Sequence, residues 1–134
     1  MKQFNWRTFE NLELNPRIGY INSCCEFCDL ILEKIKVGIG EKMAVNSDEI
    51  ITGQEDWGWF LEFQKDKFFY ILSLSYLERD EENAHNFGAA IEVNEKKRGF
   101  FFNREIESET ETGKFAEMVV SIAKEQNIQV FEEQ

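Results

Sequence analysis

Residues 53–63, GQEDWGWFLEF, place the carboxylates of Glu55 and Asp56 directly before Trp57 and Trp59, with Gly58 between the two indoles. Acids beside aromatic rings suit a cationic or Arg-rich partner, held by ion pairing and by stacking on the ring faces. Closed into a pocket with Tyr76, the same residues could instead serve a small ligand or metal-dependent chemistry, with Glu55 or Asp56 as the polar group. Trp57 and Trp59 share strand parity, so both indoles are expected on one side of a sheet. The opposite parity holds Gly58, Phe60 and Glu62, too poor in apolar residues to be the main core face. The tryptophans are therefore expected in the core, with an exposed aromatic platform as the alternative.

The other reactive side chains point away from catalysis. A Ser-His-Asp or Cys-His arrangement would have to use His85, the single histidine, in the acidic stretch ERDEENAHN, where it reads as loop surface. Cys25-Glu26-Phe27-Cys28 is formally a CxxC, but it falls several residues into an apolar helical stripe with no preceding strand. Cysteines placed so behave as small hydrophobes rather than redox centres. One cysteine cluster and one histidine do not supply the two separated ligand pairs of a structural zinc site. The glycines match neither a dinucleotide fingerprint nor a P-loop. No catalytic residue, metal or cofactor is expected.

Acidic residues are the abundant resource. Fifteen Lys and Arg against 26 Asp and Glu leave a net charge of −11, and the sequence pI is about 4.6. Such a field repels nucleic acid and anionic lipid and favours a cationic protein. The candidate contacts are Glu55 and Asp56, a first loop with Glu78, Asp80, Glu81 and Glu82, and a second with Glu105, Glu107, Glu109 and Glu111. Glycosidase or divalent-metal chemistry would need some of these to converge in a cleft. The alternative is that the runs are solvated faces serving solubility.

At 134 residues, 43% hydrophobic with 13 Phe and one Pro, the chain has the composition of a folded globule and fits one domain, 1–134. The beginning, MKQFNWRTFENLELNPR, lacks the apolar run of a signal peptide, and nowhere do 18 apolar residues follow one another. An odd, clustered set of three cysteines agrees with a cytoplasmic location.

Residues 15–37 carry Ile18, Ile21, Cys25, Cys28, Leu32 and Ile35 at alternating spacings of three and four, one stripe of an amphipathic helix. Asn15 and Pro16 suit its start and Gly38 and Gly40 its stop, while Asn22 or Ser23 could cap a shorter version. The period then changes to two. Trp57 to Phe63 and Phe68 to Tyr76 form a hairpin about QKDK, and after a charged loop Phe87, Ala89, Ile91 and Val93 alternate, with NEKKRG turning back into the Phe100–Phe102 run. Residues 103–111 read as an acidic loop. Phe115, Met118, Val119 and Ile122 mark a second helix, with Thr112 as cap and Asn127 as terminator, and NIQVFEEQ ends in a short strand. The expectation is an α+β fold of order α-β-β-β-β-α-β, a meander of four to five antiparallel strands with two helices on one face. No internal repeat or linker interrupts it.

The EDWGW run entering a hairpin after an N-terminal helix resembles small uncharacterised bacterial α+β proteins that share such a segment. The whole chain, acidic and without a catalytic signature, also resembles the immunity proteins of bacterial polymorphic toxin and contact-dependent inhibition systems. That resemblance implies a non-enzymatic protein that occludes a cognate toxin, often a basic nuclease, through an acidic surface, and it transfers no binding residue. Besides the ligand-binding reading, the alternative is a homo-oligomer that buries an open sheet face carrying Phe60, Phe69 and Ile71. The expected state is monomer or homodimer, with no nucleic-acid or membrane partner.

Overall fold

The computed structural model describes residues 1–98 and 103–132, with the side chains of all of them except 97, 98, 103 and 104. Two helices, α1 (Cys28–Met43) and α2 (Glu109–Glu125), lie on one face of an antiparallel sheet. The strands are β1 (Lys2–Thr8), β2 (Ile51–Glu55), β3 (Gly58–Lys65), β4 (Phe68–Arg79), β5 (His85–Arg98), β6 (Asn103–Glu107) and β7 (Ile128–Glu132). The order across the sheet is β2-β3-β4-β5-β1-β7, and β6 pairs with the distal half of β5 beyond the stretch that β1 occupies. The α+β class stands. The sheet has seven strands among the described residues rather than four to five.

Two of the additional strands flank the expected meander. β1 alternates Phe4, Trp6 and Thr8 inward and pairs with β5 and β7, so residues close to each end of the chain lie side by side. β2 is an edge strand with the sequence ITGQE, and it lacks apolar alternation because only one of its flanks meets another strand. β5 runs through Asn94 to Arg98, where NEKKRG reads as a turn, and β6 occupies part of the expected acidic loop. The Phe100–Phe102 run lies outside the described residues.

α1 begins at Cys28, not at Asn15. Asn22 caps a short 3-10 turn at Ser23–Cys25, accepting from the Cys24 amide, and Phe27 then takes a left-handed conformation (φ 65) before the helix starts. The helix continues through Gly38 and Gly40, the expected stop. Tertiary packing explains Gly38, where a Cβ would lie 2.6 Å from Cγ2 of Ile122 on α2. The helix ends instead at Ala44, left-handed at φ 54, whose amide donates to the Gly40 carbonyl. α2 is capped by Ser108, whose hydroxyl accepts from the Glu111 amide, and not by Thr112. Thr112 is buried, and its Oγ1 accepts from the Val93 amide at 2.9 Å. Asn127 follows the helix in a left-handed conformation, φ 61, as a terminator should.

The core lies between the helices and the inward parity of the strands: Ile31, Leu32, Ile35, Val119 and Ile122 against Trp6, Leu61, Leu72, Leu74, Phe87 and Ile91. Fully burying one such side chain contributes about 1.5–3 kcal/mol. Among the described residues no helix is long and apolar enough to cross a membrane.

Candidate functional site

The β2–β3 hairpin has a two-residue turn, Asp56-Trp57, with Glu55 paired to Gly58. Strand parity therefore begins at Gly58, one residue after Trp57. Trp59 is within β3 and packs inward on the core, whereas Trp57 is in the turn, 41% exposed, over the opposite face beside Ser73, Ser75 and Leu77. Gly58 permits the reversal at φ +151, with its Cα so close to β4 that a Cβ would lie 2.1 Å from the Leu74 carbonyl oxygen. The expectation of both indoles in the core is corrected for Trp57. The two tryptophans line separate cavities, and Trp59 borders a cleft with Leu12, Asp29, Leu30 and Glu33 rather than with Glu55 and Asp56.

The segment 19–25 engages the turn end of the hairpin. Gln54 exchanges hydrogen bonds with the Ile21 amide and the Gly19 carbonyl, Asn22 donates to the Asp56 carbonyl, and the Cys25 thiol donates to the Glu55 carbonyl at 3.0 Å. Cys25 and Cys28 are fully buried and free, and burial pushes the Cys28 thiol well above its ordinary range. That environment opposes thiolate chemistry.

His85 corrects the loop-surface reading. It opens β5, is 1% exposed, and its Nδ1 lies 2.9 Å from the Tyr76 hydroxyl, with the Phe27 ring centroid 4.7 Å away. Its Nε2 has no hydrogen-bond partner among the described residues. Desolvation, then repulsion from Arg79, holds its pKa below the ordinary value.

The charged stretch at residues 78–86 is strand ends and a tight turn rather than one loop. β4 carries Glu78 and Arg79, leaving a tight turn at residues 80–84. Asp80 accepts from Arg7 Nε at 2.8 Å, from Asn86 Nδ2 at 2.9 Å and from the amides of Glu82 and Ala84. The Arg7 guanidinium, followed by Asn86, holds this carboxyl far below the usual carboxylate range. Asp80 is thus committed to the fold, and Glu82 also lies 3.5 Å from Arg7. Glu78 and Glu81 are exposed.

The second acidic group is divided. Glu107 pairs with the terminal ammonium of Met1, Glu111 lies 3.6 Å from Lys114, and Glu105 and Glu109 are exposed. Arg79 faces His85 while Glu105 faces Lys96 on the same strand, eleven residues further on. At about 3.3 Å per residue the two groups stand roughly 35 Å apart along β5. Glu55 and Asp56 are exposed near the His85 end, because β3 and β4 register Gly58 beside Ser75 and Gly88. The ten expected contacts do not form one patch.

The sheet face opposite the helices forms a different grouping. Ile51, Glu62, Ile71 and Glu92 are successive partners across β2, β3, β4 and β5, with Phe69 beside Ile71. Ile51, Phe69 and Ile71 line a groove of about 610 Å³ together with Glu49, Glu62 and Glu105, with Glu62 between Ile51 and Ile71 in register. Of its acids only Glu105 is among the expected contacts. Glu62 carries a legible signal, because it shares parity with Gly58 and Phe60 on the strand face too polar for the core. Glu49 carries none, since a turn sets its position. Among the described residues no three His, Cys, Asp or Glu side chains come together as metal ligands. The chain matches no protein-family model, no curated protein and no solved structure.

Proposed function

We propose that the protein is a non-enzymatic, cytoplasmic binding protein that receives a cationic protein on its open sheet face, as an immunity protein occluding a basic toxin domain would. The observation that carries this reading is the groove that Ile51, Phe69 and Ile71 line together with Glu49, Glu62 and Glu105. Lys and Arg side chains pair an apolar stem with a charged head, and a groove that mixes apolar side chains with acids accepts both parts. The net charge of −11 would draw such a partner in from a distance. Glu55, Asp56, Glu78, Glu81 and Glu109, exposed toward the ends of the sheet, would serve steering more than contact.

The test is growth of cells that co-express this protein with the C-terminal part of the reading frame immediately upstream of its gene. Rescue from a toxic product, lost in Glu62→Lys combined with Ile71→Lys, is the expected result. Toxicity that the protein leaves untouched, or rescue that the double variant retains, would overturn the reading. In vitro, association with the toxin domain should slow as salt rises; an association rate independent of salt removes the steering mechanism.

A further inference from the structure

A sheet edge offers unpaired N–H and C=O groups to any extended chain, and folded proteins cover or charge their edges to prevent this. Among the described residues three strands have a flank with no strand neighbour: β2, β6 and β7. The turn end of β2 is engaged by the segment 19–25, through the Gln54 side chain and the carbonyls of Glu55 and Asp56, and Ile51 at its other end lines the open-face groove described above. β6, NREIE, carries three charged residues in five. β7, IQVFE, carries one charge at its end, and among the described residues no backbone hydrogen bond reaches it from outside the sheet. Phe131 on this strand is 52% exposed, and a groove of about 830 Å³ runs beside it, lined by Phe9, Lys124, Ile128, Val130 and Phe131.

The geometry points to β7 as a self-association edge, where a second copy of this chain adds its own β7 antiparallel about a twofold axis at Val130. In that register Val130 faces Val130 of the second copy, and each Phe131 stands opposite Gln129 and diagonal to the other Phe131, within reach of an aromatic side chain. Glu132 shares the helix-side parity of Ile128 and would lie opposite Ile128 of the second copy, beside Lys124 in the last turn of α2. Lys124 has no ion-pair partner among the described residues, and the only partner of Glu132 among them is Lys2 at 3.7 Å, both exposed. The twofold makes each Lys124–Glu132 contact twice, so charge as well as shape is self-complementary. Each copy also carries a net charge of −11. With screening lengths of about 30 Å at 0.01 M salt and about 8 Å at 0.15 M, the dimer should tighten as salt rises from the lower to the higher value. The open-face groove involves β2, β3, β4 and β6 and is not used, so this inference does not depend on the binding reading above.

Sedimentation of the full chain over a range of concentrations tests it, at both salt levels. The expected result is a concentration-dependent dimer at 0.15 M salt whose dissociation constant rises at least about tenfold in Phe131→Glu and about tenfold in Lys124→Glu, with Lys124→Glu combined with Glu132→Lys restoring it. These positions are exposed, and an unchanged far-ultraviolet circular dichroism spectrum verifies folding of each variant. A monomer at every concentration up to about a millimolar, a regime of weak binding, would overturn the inference. So would a dimer that all three variants leave intact, which would place the contact on another surface.

Discussion

Trp57 and Trp59, two residues apart, face opposite sides of the sheet, with one glycine between them at φ +151. This reversal joins the turn to β4, since the Ser75 hydroxyl donates to the Trp57 carbonyl at 2.6 Å. Replacing Gly58 by Ala would force a Cβ to within 2.1 Å of the Leu74 carbonyl oxygen. The backbone strain and the clash should together cost about 2–5 kcal/mol. Urea unfolding of Gly58→Ala measures this, and a loss below about 0.5 kcal/mol would show that the close approach of β3 to β4 is not required.

The three indoles should separate by accessibility. Trp6 is fully buried and Trp59 packs on the core, whereas Trp57 is 41% exposed. Acrylamide should quench mainly Trp57, and Trp57→Phe should leave a blue-shifted, shielded emission with a stability change within about 0.5 kcal/mol. Emission of Trp57→Phe that remains as quenchable as the wild type would contradict the assignment of faces.

Asp80 ties β1 to the turn between β4 and β5 through Arg7. The fold favours its charged form, so the unfolded chain takes up the proton first as the pH falls. The stabilisation is complete above the ordinary carboxyl value of about 3.9 and is lost as the pH falls from there through the lower folded-state value. Asp80→Asn should destabilise the protein at pH 7 and approach the wild type in strongly acidic solution. A stability gap that stays constant on acidification would mean that charge is not what Asp80 contributes.

His85 acts in the same direction at milder pH. Burial disfavours its charged form, so the unfolded chain binds more protons once the pH drops below about 6.5, and stability falls through that window toward the lower folded-state value. A single site contributes a slope of at most about 1.4 kcal/mol per pH unit. His85→Gln should lose that slope between roughly pH 7 and 5, measured by urea unfolding at several pH values. An unchanged slope would assign it to other groups.

Gly38 tests how α1 meets α2. Alanine is a better helix former than glycine by about 1 kcal/mol, but its Cβ would press on Ile122 at 2.6 Å. Overpacking costs about 1–3 kcal/mol, so Gly38→Ala should be neutral to destabilising by about 2 kcal/mol. In an Ile122→Ala background, which removes the Cγ2, Cγ1 and Cδ1 atoms at the contact, Gly38→Ala should cost less than it does in the wild type. A clearly stabilised single variant would show that the helices have room to part.

Periodicity alone specified the centre of the fold. Alternation over residues 57–63 and 68–76, together with the apolar stripe Phe115, Met118, Val119 and Ile122, located the β3–β4 hairpin and α2 to within a few residues. Each of those elements buries one face, and burial of one face is what writes a period into a sequence. β2 has a flank without a strand neighbour and shows no such period, so nothing in ITGQE identified it. β1 does alternate Phe4 and Trp6, but it is short and finds its partners only across the sequence, in β5 and β7.

The sequence by itself determined the acidic charge, the α+β class, and a strand face through Phe60 and Glu62 unsuited to the core. Only the tertiary structure decided which acids are spent on the fold and which stay exposed. Asp80 is consumed by Arg7, 73 residues away, and Glu107 by the terminal ammonium, while Glu62 and Glu105 border one groove. It also turned His85 inward and Trp57 outward. The physical reason is common to these cases: charge and period are properties of a chain, whereas pairing, register and burial arise when segments meet in the fold.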